Sequence, residues 1–242
     1  QVIKKIKQPI GGYVPMTILE AIQLETLDEL KPEENIRPSL VGLAVDYLTR
    51  FALEGNVFNA FRVSIAGARF MLQEDRGREL ALEIQGLDEV SIKAAVHLVA
   101  YDSAARAGNL AYRPTPDPDR DTILNIRLMV ERSLAFLKVY GPVTVYGFDF
   151  KPTGKYDIYG DGDFATKDTL WDFKVSKNPP TTKQTLQVLL YYLLGVYNNN
   201  YSRLFNGFKY IGIYNPRHNK IYRAPIEDIP KENLRSVLHY VL

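Results

Sequence analysis

Past Pro142 the chain reads as short strands. VTVYGFDF (143–150), YDIYGDGDFA (156–165), TLWDFKVS (169–176), FKYIGIYN (208–215) and KIYRAPI (220–226) are rich in β-branched and aromatic residues and bounded by turn formers. One helical stretch, from about Thr182 to Tyr197, divides them, and a last helix is expected after Pro230. Ahead of Pro142 the pattern is helical. PSLVGLAVDYLTRFALEG (38–55) places Leu40, Leu43, Ala44, Tyr47, Leu48 and Phe51 at core spacing, with Gly42, Asp46 and Arg50 on another face. Residues 57–138 continue in helical periodicity, with breaks near Gly86 and at RPTPDPDRD (113–121). Thr17 and Glu20 have the spacing of a capping box, which predicts a first helix ending at Pro32. Helices followed by strands split by a helix imply an α/β fold, an α+β mixed sheet flanked by helices. We expect a single domain over residues 1–242, with about 57–138 as a helical insertion or subdomain.

Composition removes several classes of chemistry. The chain has no cysteine and three histidines, His97, His218 and His239, which excludes disulfides, thiol catalysis and Cys-ligated zinc. A metal, if bound, is expected on oxygen ligands. The net charge of +2 is too small to announce a polyanion partner by itself. No apolar run reaches the roughly 20 residues that span a bilayer, and the lysine-rich start lacks the apolar stretch of a secretory signal. The expectation is a cytoplasmic protein with no membrane partner. The chain opens on Gln, so it is expected to be a piece of something longer, with room for a partner domain or subunit.

The unusual residues lie in the strands. In TLWDFKVS, Trp171, Phe173 and Val175 fall on one face, and Asp172, Lys174 and Ser176 on the other. If Lys167-Asp168 is a two-residue hairpin turn, Asp163 faces Asp172 and Asp161 faces Lys174; a longer loop shifts this pairing. Two carboxylates opposite one another repel, and a divalent cation between them resolves the conflict. Mg²⁺ suits such a pair, because it takes one or two carboxylates and completes its shell with water and phosphate oxygens. The other reading of the same residues is a solvated strand face. Asp161-Gly162-Asp163 lacks the spacing of a calcium loop.

Asp163 followed by Asp172-x-Lys174 resembles the core of the PD-(D/E)XK nuclease superfamily. Three further segments match in order: Gly160-Asp161-Gly162-Asp163 is similar to the G-x-x-D form of RecB-like nucleases, Gln187 and Tyr191 to their Q-x-x-x-Y, and Gly42 with Asp46 to their G-x-x-x-H. Asp46 departs from that pattern, which carries His at this place. The resemblance covers residues 39–50 and about 145–215. It implies a restriction-endonuclease-like core with a helical N-terminal elaboration, and a metal-dependent nuclease hydrolysing DNA phosphodiester bonds, exonucleolytic and endonucleolytic cutting both being compatible with it. Asp163, Asp172 and Lys174 would be catalytic; Asp46, Asp163, Asp172 and the Phe173 carbonyl would hold Mg²⁺ or Mn²⁺; Gln187 and Tyr191 would position substrate. The bland reading of Asp46 is an i,i+4 pair with Arg50. The rival functions are a catalytically silent nucleic-acid-binding or scaffolding domain of the same fold, and a nuclease acting on RNA or structured substrates.

Overall fold

The computed structural model describes residues 3, 6–25, 28–150 and 160–241. Its helices are α1 (Pro38–Glu54), α2 (Val57–Ala60), α3 (Arg62–Phe70), α4 (Glu74–Glu83), α5 (Glu89–Val99), α6 (Asp102–Ala107), α7 (Arg120–Tyr140), α8 (Thr182–Val196), α9 (Ser202–Phe205) and α10 (Lys231–Val241). Its strands are β1 (Glu20–Gln23), β2 (Val145–Phe150), β3 (Gly160–Ala165), β4 (Thr169–Phe173), β5 (Tyr210–Asn215) and β6 (Lys220–Pro225). The chain divides into two compact units, Gln1–Glu25 with Phe136–Leu242, and Thr26–Ala135.

The first unit is a mixed α/β fold on an open six-stranded sheet of order β1-β6-β5-β4-β3-β2. Neighbours are antiparallel except β4 and β5, which run parallel. A parallel pair needs a crossover, and α8 supplies it. Leu186, Val188, Leu189, Leu190, Leu193 and Leu194 of α8 are buried with Leu170, Ile211, Ile213, Phe148 and Phe150 of the strands. At about 1.5–3 kcal/mol for each large apolar side chain buried, this contact fixes α8 far more firmly than its intrinsic propensity could. Its start is set by Gln184, whose side chain accepts the Thr181 N–H at 2.8 Å in capping-box fashion. The opposite face of the sheet carries Phe164, Trp171, Tyr214 and Ile221, covered by Phe136 and Leu137 from the end of α7. Phe136 stacks on Tyr214 at 4.0 Å and meets Trp171 edge-on at 5.0 Å.

The expected first helix is corrected. Residues 16–18 form one 3-10 turn, and Glu20–Gln23 is instead β1, antiparallel to β6. The capping pattern is local, whereas the free edge of β6 offers this segment backbone pairing, and Ile22 packs on the sheet core. Arg223 of β6 also reaches Glu20 at 3.3 Å. Of the expected strand 156–165, residues 156–159 lie outside those described.

The second unit is helical and runs from α1 through most of α7, so it begins before residue 57 and includes Asp46. Pro38 opens α1 at a position where its missing N–H costs nothing, and Gly55 closes it in a left-handed conformation (φ 69°). Asp88 caps α5 by accepting the Ser91 N–H at 2.9 Å. Among the described residues no helix is long and apolar enough to cross a membrane.

Candidate active site

The hairpin of β3 and β4 pairs Phe164 with Trp171 and Ala165 with Leu170, and Thr166 N–H donates to the Thr169 carbonyl at 3.0 Å. Lys167-Asp168 is therefore the two-residue turn, despite being poor turn chemistry. Continued, this register sets Asp163 opposite Asp172, but the ladder stops before that pair. Asp163 Oδ2 instead accepts the Phe173 N–H at 2.7 Å, taking the place of a strand carbonyl. On the other flank the β2–β3 ladder runs from Val145↔Ala165 to Phe150↔Gly160 and omits only Gly147 with Asp163. Gly147 has φ 64°, a left-handed conformation that favours glycine. β3 is thus irregular on both sides at Asp163, the kind of distortion that re-aims a side chain. Gly162 beside it has no room for a side chain: a Cβ there would lie 2.5 Å from the Phe148 ring.

Asp172 sits in the middle of the sheet, 1% exposed. Lys174 Nζ is 2.8 Å from both Asp172 oxygens, but only Oδ1 meets it with hydrogen-bond geometry. Oδ2 is a buried carboxylate oxygen with no hydrogen bond. Burial pushes the Asp172 carboxyl above the usual carboxylate range; the Lys174 charge opposes this and the Asp163 charge adds to it. For Lys174, burial works against the ammonium, but Asp172 and then Asp163 outweigh it and hold it charged. With both Asp172 oxygens 2.8 Å from Nζ, Lys174 stays a charged ammonium.

Gln187 and Tyr191 occupy one side of α8, and Gln187 Nε2 donates to the Tyr191 hydroxyl at 2.7 Å. Burial raises the pKa of that hydroxyl, the hydrogen bond from Gln187 opposes the rise, and the charges of Asp172 and Asp163 add to it. The structure therefore brings together Asp163, Asp172, Lys174 and Tyr191, with Gln187 behind Tyr191. Phe173 ends β4 in the same place. Asp46 belongs to the helical unit, where its carboxylate takes Arg50 Nε at 2.9 Å and Nη2 at 3.0 Å, the i,i+4 pair. The side chain of Asp161 lies outside the described residues, so its expected opposition to Lys174 does too.

Two carboxylates and one ammonium leave a formal excess of one negative charge, in a donor set made of oxygen. Oδ2 of Asp172 makes no hydrogen bond although Lys174 Nζ lies 2.8 Å from it, and a carboxylate oxygen free of hydrogen bonds suits a hard cation. Among the described residues no group of three or more His, Cys, Asp or Glu could hold a metal. A cation here would find two carboxylates, Asp163 and Asp172, a number that suits Mg²⁺ with its retained water and phosphate ligands.

One residue of this region was not singled out in the sequence. Asn215 is 1% exposed, and its side chain binds the backbone of the loop that follows Lys174. An asparagine ending the apolar run YIGIYN was the only local sign of it. Compared with protein-family models, curated proteins and solved structures, the chain matches none.

Proposed function

We propose that this chain is a Mg²⁺-dependent nuclease of the PD-(D/E)XK type, hydrolysing phosphodiester bonds of DNA, with Mn²⁺ able to replace Mg²⁺. The observation that carries the reading is the buried Asp172 at the end of β4. It stands beside Asp163, covered by Lys174, and keeps one oxygen without a hydrogen bond. In this reading β2, β3, β4, α8 and β5 are the restriction-endonuclease-like core, and the helical unit is its elaboration.

Asp163, Asp172 and the Phe173 carbonyl would hold the cation. When bound, it would lower the pKa of a water ligand and offset negative charge on the phosphate. Lys174 keeps its proton beside the carboxylates and donates hydrogen bonds to the attacking water and to the phosphate oxygens, where charge develops. Water oxygen bonds to phosphorus as its proton passes to solvent, and the phosphorus bond to the leaving oxygen breaks, that oxygen taking up a proton from solvent. Because Tyr191 accepts from Gln187, its own hydroxyl hydrogen is available to a phosphate oxygen, which assigns this pair to substrate positioning. Asp46, paired with Arg50 within α1, stands outside this ligand set.

The catalytically silent reading has one observation in its favour: Lys174 already contacts both oxygens of Asp172, so the buried charge has an internal counterion. Two substitutions separate the readings. Lys174→Ala should lower cleavage by about 10²–10³-fold while calorimetric Mg²⁺ binding persists, since it removes a donor acting on developing charge. Asp172→Ala should abolish both. Metal binding that survives Asp172→Ala would sink the cation assignment.

A further inference from the structure

Asn215 ends β5, next to β4 and parallel to it. The pairing of the two strands reaches Phe173↔Tyr214, and Lys174 N–H then donates to the Tyr214 carbonyl at 3.0 Å. Beyond this point β4 has ended, and the side chain of Asn215 takes over. Its Nδ2 donates to the Ser176 carbonyl at 2.8 Å, while its Oδ1 accepts the Arg217 N–H at 3.0 Å and, at the long distance of 3.5 Å, that of Ser176. A second tie joins the same two loops, with His218 Nε2 2.9 Å from the Lys177 carbonyl. Lys174 is therefore anchored at its own N–H and again two residues on.

We propose that Asn215 is a positioning residue for Lys174, its carboxamide extending the β4–β5 pairing past the end of β4 so that the ammonium stays aimed at Asp163 and Asp172. This rests on the nuclease reading above. A buried carboxamide is costly unless its donors and acceptor are used, and this one is used on loop backbone, at Ser176 just past the candidate catalytic lysine and at Arg217 in its own loop. The lysine side chain is a flexible four-carbon stem, so the ion pair with Asp172 alone does not fix where the ammonium sits. A substrate phosphate competes for the same ammonium, and the backbone anchor is then what keeps its origin in place.

The test is a double-mutant cycle in the full chain, read as kcat and KM on linear duplex DNA with Mg²⁺. Asn215→Ala should lower kcat by about 10–100-fold, the scale of an ångström-level misplacement. KM and duplex binding in EDTA should stay within about twofold. In the Lys174→Ala background the same substitution should cost nothing further, because its effect passes through Lys174. Asn215→Asp keeps size and acceptor but loses the donor to Ser176, so it should match Asn215→Ala, and it carries the test if the alanine variant does not fold. Wild-type kcat in both variants, or an equal loss with and without Lys174, overturns the proposal. If the wild type cleaves neither DNA nor RNA, the nuclease reading falls, and amide exchange decides the clamp. Faster exchange at Lys174 and Ser176 in Asn215→Ala supports it, and unchanged exchange overturns it.

Discussion

At the scale of single residues, the site depends on how β3 breaks its pairing at Asp163. Its carboxylate replaces a strand carbonyl for Phe173, Gly147 turns left-handed opposite it, and Gly162 lets Phe148 lie against the bare backbone. Gly162→Ala should therefore destabilise the protein by about 1–3 kcal/mol, because the fully buried Phe148 ring must shift to admit the methyl group. Urea unfolding measures this; an unchanged midpoint would show that the ring has somewhere to go. Asp163, Asp172 and Lys174 were legible in the sequence because strand alternation is local, and Gln187 with Tyr191 because four residues make one helical turn. Asn215 and the close approach at Gly162 were not. Asn215 meets Ser176 39 positions away, and no local periodicity encodes that encounter.

At the scale of elements, the strands after Pro142 and α8 could be read from their hydrophobic periods. The segment at Glu20–Gln23 could not, because its conformation is decided by the edge of β6 and not by its own propensity. Within the helical unit, α1, α3 and α6 meet around a buried carboxylate, which also went unread. Asp102 accepts from the Tyr47 hydroxyl at 2.8 Å and from the Ser64 hydroxyl, with Arg106 Nε at 3.5 Å. Burial raises its pKa, and the bonds from Ser64 and Tyr47 and the Arg106 charge only partly offset this. A carboxyl whose folded pKa is raised favours folding most below its unfolded value, about 4, and that contribution is lost as pH rises through the folded value. Asp102→Asn has no proton to lose. The melting temperature of Asp102→Asn minus that of the wild type should therefore increase as pH rises from about 4 towards neutrality. A difference that stays flat over this range would mean that the network holds Asp102 at an ordinary pKa.

At the scale of the whole molecule, a sheet unit carries the carboxylates and lysine, and a helical unit from Thr26 to Ala135 includes α1 and Asp46. The segment read from the sequence pattern as a helical insertion or subdomain, about 57–138, is mostly helices and lies in the unit Thr26–Ala135 as far as residue 135. A net charge of +2 gives little long-range attraction to a polyanion. The full chain is the right object for the central test. Linear duplex, circular duplex and single-stranded DNA are each incubated with the wild-type protein in Mg²⁺, Mn²⁺ or EDTA, with Lys174→Ala alongside. The account predicts cleavage of at least one DNA in Mg²⁺ or Mn²⁺, none in EDTA, and a loss of about 10²-fold or more in Lys174→Ala. Cleavage that persists in EDTA or is indifferent to Lys174, or intact DNA under every condition, would contradict it.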